Sequence, residues 1–223
     1  AAGTRSESNL DGNGARLFDT VSGLFAAMSN PSVEAQRPRM EPRPTGQLRK
    51  SDLTRAAILD AALEFLWIHP FREMTVGRLM ALTGVSRSGF YHYFHDVHEL
   101  METLLSDLRA RIFSVAAPWF TGTGDARDLL RESLAGLVRV CFESGPIVRA
   151  VSDAAPSDKR LEQAWLSFLT GFDEAVAERI EADQRLGLVP GMDAREIAVV
   201  LNRMDACTFV HAFGKHPRKE QWE

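Results

Sequence analysis

The hydrogen-bonding side chains between residues 86 and 93 have the chemistry needed to recognise the edges of DNA bases. Arg87 carries a guanidinium, which can pair bidentately with O6 and N7 of guanine. Ser88 adds a hydroxyl beside it, and Gly89 would let the backbone come close to a bound duplex. This pattern predicts a DNA-reading surface, although Arg87 taken alone also fits a solvated surface cation.

Three rings follow these residues directly, namely Tyr91, His92 and Tyr93. Their polar atoms and apolar faces suit contacts with phosphates or with thymine methyl groups. For Tyr93 a second interpretation stays open, because aromatic rings are often buried and this one could pack in a small core under Phe90.

The elements that would position these residues are two short helices joined by a tight turn. Thr75 is a good N-cap for the first helix, Gly84 suits its end, and Ser86 caps the second. Phe90 and Phe94 are four residues apart, so they share one face of the second helix. The first helix has an apolar stripe of Val76, Leu79, Met80 and Leu82. The pattern is that of a helix-turn-helix, whose second helix enters a major groove.

Phosphate contacts are expected on either side of the reading helix. Near helix N-termini they would come from Thr75, Arg78 and Ser86. The formal net charge of −4 argues against binding by bulk charge, yet residues 37–55 hold six basic and two acidic side chains. We therefore predict a basic arm at 37–50, ending in Arg49 and Lys50, that reaches into the minor groove.

Apolar residues recur at helical spacing from Ser51 onward, and no alternating strand pattern is present. We predict an all-α protein of eight or nine helices. Pro118 and Pro146 are taken as helix boundaries. The predicted helices span 51–69, the two of the helix-turn-helix, 96–117, 125–143, 146–155, 158–186 and 193–213.

The first 50 residues form a flexible N-terminal extension in this interpretation, with a possible short helix at 15–28 and the basic arm. Residues 51–97 would form the DNA-binding domain, and residues 98–223 a larger helical domain. The role of the 15–28 segment stays open.

The sequence contains few residue patterns that indicate metal binding or catalysis. The spacing of His92, His95 and His98 could suggest a metal, but it crosses a helix end and a turn, so the rings need not converge. We predict no metal site, no cofactor and no enzyme, since Walker, Gly-x-Ser-x-Gly and His-Glu-x-x-His motifs are missing. Cys141 and Cys207 are expected to be buried free thiols in a cytoplasmic protein that does not enter a membrane.

Polar residues interrupt an otherwise apolar helix near the end of the chain. Asn202 and Asp205 are three apart among apolar neighbours. A buried amide or carboxyl without a partner is costly, so this pair is either bonded internally or faces a ligand cavity. Aromatic residues on several helices fit a packed core as well as a pocket.

The run from Gly84 to Leu100 resembles the signature of the tetracycline-repressor (TetR) family of transcriptional regulators. The resemblance rests on four parts of this run: Gly84-Val85-Ser86, the Phe90-Tyr91 pair, the aromatic residues Tyr93 and Phe94, and the acidic-Leu pair Glu99-Leu100. The resemblance implies a homodimer that binds an operator in double-stranded DNA. One position departs from the pattern: Val97 stands where the family usually has a phosphate-binding Lys.

The second half is similar to actinobacterial regulators of the ethionamide-resistance-repressor subgroup, on the stretch from Trp165 to Phe213. That resemblance implies a hydrophobic small-molecule effector in a tunnel lined by Leu137, Cys141, Trp165, Leu169, Phe172, Asn202 and Asp205. The aromatic Phe142 and Phe209 complete the predicted ligand-binding set. Asn202 is the predicted main hydrogen-bonding residue, and Asp205 favours an effector with a donor or an amine.

These inferences predict a ligand-responsive transcriptional repressor that binds a palindromic operator as a dimer. The alternative is a small-molecule-binding helical protein whose helix-turn-helix no longer reads specific DNA. Val97 and the acidic net charge favour this alternative slightly.

Overall fold

Helix boundaries in the structure follow the capping residues of the sequence. The computed structural model describes residues 50–122 and 124–214. Two 3-10 turns, Phe71–Glu73 and Ala155–Ser157, separate some of the helices. The α-helices are α1 (Lys50–Ile68), α2 (Val76–Thr83), α3 (Arg87–Tyr91), α4 (Val97–Thr121), α5 (Ala126–Ala154), α6 (Lys159–Arg185) and α7 (Ala194–Phe213). These ranges contain no strand, and the all-α prediction is confirmed.

The caps of the helix-turn-helix are confirmed. Thr75 Oγ1 accepts a hydrogen bond from the Arg78 N–H at 3.3 Å, and Ser86 Oγ accepts one from the Gly89 N–H at 3.1 Å. Gly84 ends α2 with φ of 69°, a left-handed conformation that glycine adopts without strain.

The apolar stripe of α2 is narrower than predicted. Leu79 and Met80 are buried, but Leu82 is 62% exposed. Leu82 lies in the last turn of α2, two residues before Gly84 ends the helix, and the core does not cover its side chain.

One apolar cluster joins the helix-turn-helix to the rest of the molecule. Phe90 of α3 and Phe94 just after it are buried with Leu100 of α4, and the same cluster continues into α5 and α6. The predicted boundary between 51–97 and 98–223 therefore falls at the first turn of α4, where packing is continuous. The division into two domains stays a prediction.

Pro118 does not end the helix that contains it, contrary to prediction. It lies inside α4, which continues to Thr121. The proline removes one N–H from the helix ladder, and the N–H of the following Trp119 donates to Ser133 Oγ of α5 at 3.2 Å. The Ser133 hydroxyl of α5 thus accepts a hydrogen bond from the turn that Pro118 disturbs, and α4 continues past the proline.

Pro146 does not start a new helix either. The two helices predicted at 125–143 and 146–155 are one helix, α5. Ser144, Gly145 and Pro146 are all buried. A Cβ on Gly145 would collide with the carbonyl oxygen of Phe213, so α5 and α7 approach closely at this point. The tertiary packing around Pro146 therefore offsets the backbone hydrogen bond that the proline removes from α5.

Charged side chains hold the start of α4 against the start of α6. The Arg160 guanidinium donates to Asp96 at 2.8 Å and to the two carboxylate oxygens of Glu102 at 2.7 and 2.8 Å. His98 Nε2 lies 2.6 Å from Oδ2 of Asp158, the N-cap of α6. These pairs are partly exposed, so they fix geometry more than they add stability.

The predictions of buried free thiols for the two cysteines have different outcomes. Cys141 is a buried free thiol as predicted, whereas Cys207 is free but exposed, because it faces a cleft between α5, α6 and α7. The predicted helix at 15–28 and the basic arm at 37–50, apart from the backbone of Lys50, lie outside the described residues. Within the described part, no helix is long and apolar enough to cross a membrane.

Candidate nucleic-acid interface and effector site

The predicted reading residues form one exposed surface on α3. Arg87, Ser88, Tyr91 and His92 are exposed, while Phe90 on the opposite side is fully buried. The Ser86 and Ser88 hydroxyls lie 3.0 Å apart. The short helix thus presents donors outward and is held from beneath by one aromatic anchor.

Gly77 of α2 leaves room for the side chain of Arg87, which is the main candidate for a base contact on this surface. A Cβ at Gly77 would lie 2.7 Å from Arg87 Nη2. The guanidinium therefore lies over the first turn of α2, within the helix-turn-helix. Sequence reasoning missed this role of Gly77, although a glycine inside a short helix, where alanine is more stable, was the available signal.

Arg78, a predicted phosphate contact, already has partners in the protein. Its Nη1 donates to the carbonyl oxygen and to Oε2 of Glu73, each at 3.1 Å, and its guanidinium lies 5.0 Å from the ring centroid of Phe65. The hydrogen bond from Arg78 lowers the pKa of the Glu73 carboxyl. Arg78 is exposed, so it can still meet a phosphate, but Glu73 competes for it. Thr75 is also exposed, and its hydroxyl oxygen serves as the cap.

Tyr93 and Val97 both lean toward the core. Each is partly buried and packs against the main apolar cluster. The structure therefore favours the packing interpretation of Tyr93, whereas Tyr91 is 58% exposed. Val97, at the position of the family's phosphate-binding Lys, contributes an apolar contact at the first residue of α4.

Of the basic residues before the helix-turn-helix, Arg49 and the side chain of Lys50 lie outside the described residues. Arg55 of α1 is described, and its guanidinium lies 5.4 Å from the ring centroid of Phe94. The Arg55 guanidinium therefore lies over one ring of the Phe90–Phe94 pair beneath α3.

The predicted ligand-binding residues come from α5, α6 and α7, and they lie among aromatic stacks. The Trp165 ring stacks on Phe168 at 5.5 Å, and Phe172 stacks on Phe113 of α4 at 4.7 Å. The Phe213 ring contacts both Phe142 and Phe209. Leu169 and Cys141 are buried, and Leu137 is packed against the main cluster.

Asn202 is bonded internally. Its Nδ2 donates to Asp173 Oδ1 at 2.9 Å, and Arg203 donates to both oxygens of the same carboxylate at 3.1 and 3.0 Å. Asp173 is 4% exposed, so these three bonds compensate for its burial. Sequence reasoning missed Asp173. The available signal was an acidic residue next to the apolar face of α6.

Asp205 has no hydrogen-bond or ion-pair partner among the described residues. Burial raises the pKa of its carboxyl to about 6. Burial, followed by the nearby charge of Asp205, raises the pKa of the Cys141 thiol to about 12. The two polar residues of α7 therefore differ: Asn202 belongs to an internal network, and Asp205 has a carboxylate without a matching cation.

Two clefts among the described residues differ in how many of the nine predicted ligand-binding residues they contain. Two of them, Trp165 and Leu169, line a cleft of about 450 Å³. A second cleft of about 330 Å³, between α4 and α6, contains none of the nine.

Two family models match different parts of the chain. Residues 58–104 match the bacterial regulatory proteins of the tetR family, and residues 130–223 match the C-terminal domain of transcriptional regulator EthR. The chain belongs to the TetR family. Members of the TetR and EthR groups are transcriptional regulators rather than enzymes. The resemblance found in the run from Gly84 to Leu100 is thereby confirmed.

Similar proteins cover most of this TetR-family chain. The HTH-type transcriptional regulator EthR of Mycobacterium tuberculosis is 28% identical over 189 residues, which are 81% of this chain and 83% of that protein. EthR of Mycolicibacterium smegmatis is 27% identical over 180 residues, or 79% and 80%. A TetR-family regulator structure from Syntrophomonas wolfei has a TM-score of 0.65 at 19% identity and shows a shared fold over 74% of this chain and 85% of that one.

The raised pKa of Asp205 predicts a pH-dependent cost to the folded state. Its ordinary value is 3.8, so the cost should appear as pH rises from about 4 to about 6 and stay constant above. Asp205→Asn should stabilise the protein at pH 7 by up to about 3 kcal/mol, and the gain should vanish below about pH 4. Urea unfolding across this pH range measures it.

The matched control is Glu174→Gln, a carboxyl-to-amide change at an exposed position of α6. It should show no comparable gain. A stability difference for Asp205→Asn that does not change with pH, or a loss of stability at pH 7, would contradict the assignment of an unpaired carboxylate.

Proposed function

We propose that this regulator represses transcription by binding a palindromic operator as a homodimer, and that a small hydrophobic effector releases it. The observation that carries the proposal is the geometry of α3. Its outward side is made of donors, its inward side is a buried phenylalanine, and both ends are fixed by side-chain or core contacts. Such a helix can enter a major groove without changing its own packing.

Specific reading is assigned to the exposed face of α3, led by Arg87 with Ser88, Tyr91 and His92. Ser86 and Thr75 would bring helix N-termini to phosphates. Because Val97 provides no cation, the proposal gives the missing phosphate contact to Arg49 and Lys50 of the basic arm. Phosphate contacts of this kind set affinity and register, whereas base contacts set specificity.

A homodimer is supported by family behaviour and by exposed apolar side chains. TetR-family regulators bind DNA and act as dimers. On α6 and α7, Leu166, Val200 and Met204 are each at least 50% exposed. A two-fold interface on these helices would bury them and would place two copies of α3 in successive major grooves. Such a regulator would act in the cytoplasm.

The effector is proposed to bind near Asp205, between α5 and α7. The surroundings are apolar and aromatic, with Cys141 close to the carboxyl. An unmatched carboxylate in such a place favours an amphiphile that carries an amine or another donor. Release requires that the effector bind more tightly to the subunit arrangement that does not fit DNA.

Arg87→Ala tests the reading assignment. Loss of one bidentate base contact should weaken binding to a promoter fragment of the regulator's own gene by about 1–3 kcal/mol and relax specificity at one position. Fluorescence anisotropy at fixed salt measures the affinity. Arg127→Ala, an exposed arginine on α5, is the matched control and should bind as the wild type does. Equal affinity of Arg87→Ala and the wild type would show that α3 is misassigned.

The effector assignment predicts a response to charge on the ligand. Decylamine should lower operator affinity of the wild type by roughly fivefold or more, because its ammonium can pair with the Asp205 carboxylate. Asp205→Asn should lose most of this response and should still bind the operator. Decanol, which has the same chain without the charge, is the ligand control. Equal responses of wild type and Asp205→Asn to decylamine would contradict the site.

A further inference from the structure

A cleft of about 450 Å³ lies between the end of α5, the first half of α6 and the second half of α7. Its apolar lining includes Trp165, Leu169 and Val210. The volume falls within the range of roughly 300–1,000 Å³ that small-molecule sites occupy. Trp165 and Leu169 also border the proposed effector region, but the charged lining of the cleft is separate from Asp205.

The charge of this lining is mainly positive. It holds two arginines, Arg149 and Arg203, against one acidic side chain, Asp153, and His211 also lines the cleft. Arg203 is matched by the bidentate Asp173 carboxylate. Arg149 forms no ion pair with any described carboxylate, and its Nε is buried without a hydrogen-bond partner. An uncompensated guanidinium therefore lies at the edge of an apolar cleft.

The position of Arg149 depends on the first helix of the DNA-reading part. Its Nη2 donates to the carbonyl oxygen of Leu66 in the last turn of α1 at 2.9 Å. In a continuous helix the N–H four residues later would fill that carbonyl, but residue 70 is a proline and has none. Arg149 thus caps α1 from the helical body, and a cation is favourable at a helix C-terminus.

We propose that this cleft is a second ligand site, which takes an amphiphile with one anionic head group, a carboxylate or a phosphate monoester. The head group pairs with the Arg149 guanidinium, whose planar fork matches either anion. His211 of α7 also lines the cleft. The apolar tail packs along Trp165, Leu169 and Val210. The charge preference is opposite to that of Asp205.

Occupancy of the cleft is linked to α1 through the same guanidinium. An anion that draws Arg149 into the cleft takes a donor away from Leu66, for which no N–H of α1 can substitute. Since α1 packs on α2 and shares the core of α3, loss of this cap changes the support of the reading helix. The inference therefore adds a second input to DNA binding.

Isothermal titration of the DNA-free protein with decanoate, decyl phosphate, decanol and decylamine tests the site. At least one of the two anions should bind roughly tenfold or more tightly than decanol, and Arg149→Gln should remove that difference. Which anion binds tells whether the natural head group is a carboxylate or a phosphate. Binding of decanol equal to that of both anions would overturn the proposal.

Two further variants keep this test decisive. Val210→Trp fills the cleft without touching the Leu66 contact and should weaken anion binding, which covers the case that Arg149→Gln fails to fold. Asp205→Asn should leave anion binding unchanged. Retained anion preference in a folded Arg149→Gln or in Val210→Trp would contradict the site.

The coupling has its own measurement. The anion that binds should change the affinity of the wild type for DNA, and the change should be absent in Arg149→Gln. Because titration uses DNA-free protein, a failure of DNA binding as such would leave the site assignment intact. An anion that binds through Arg149 and leaves DNA affinity unchanged would contradict the coupling.

Discussion

The burial of Phe90 and Phe94 against the first turns of α4 is the contact on which the rest of the structure depends. It is the main attachment of the short helix α3 to the body, because five residues cannot form a stable helix alone. The same α4 is held at its start by Arg160, and its later turns pack on α5 and α6. Any shift of α6 relative to α4 therefore reaches α3 through side chains in direct contact.

Charged side chains on α5, α6 and α7 that are buried or half-buried fall into two groups that differ in their partners. Asp173 of α6 accepts three hydrogen bonds from Asn202 and Arg203, and it thereby links α6 to α7. Asp205 and Arg149 lack opposite charges, and each lies beside apolar or aromatic surface. Since unmatched charges are costly in such places, they are the positions where a ligand can add the most interaction energy. A regulator that must respond to small molecules benefits from such unmatched groups.

The sequence predicted features that depend on a few neighbouring residues. Thr75, Gly84 and Ser86 set the helix-turn-helix because a cap acts within one turn. Pro118 and Pro146 were misread, because the signal of a proline is local whereas the contacts that carry α4 and α5 through it come from other helices. Gly77 and Arg149 were missed for the same reason. Their roles depend on Arg87 and Leu66, which only the folded chain brings close to them.

Selection of bound sequences from random DNA duplexes, at about 150 mM salt, tests most directly whether this chain is a specific repressor. If α3 reads bases in a homodimer, the bound pool should become enriched in a palindrome whose half-sites lie about one DNA turn apart, or slightly more. A pool with no enriched sequence, from protein that is folded and dimeric, would contradict the account. It would instead favour a small-molecule-binding protein whose helix-turn-helix no longer reads specific DNA.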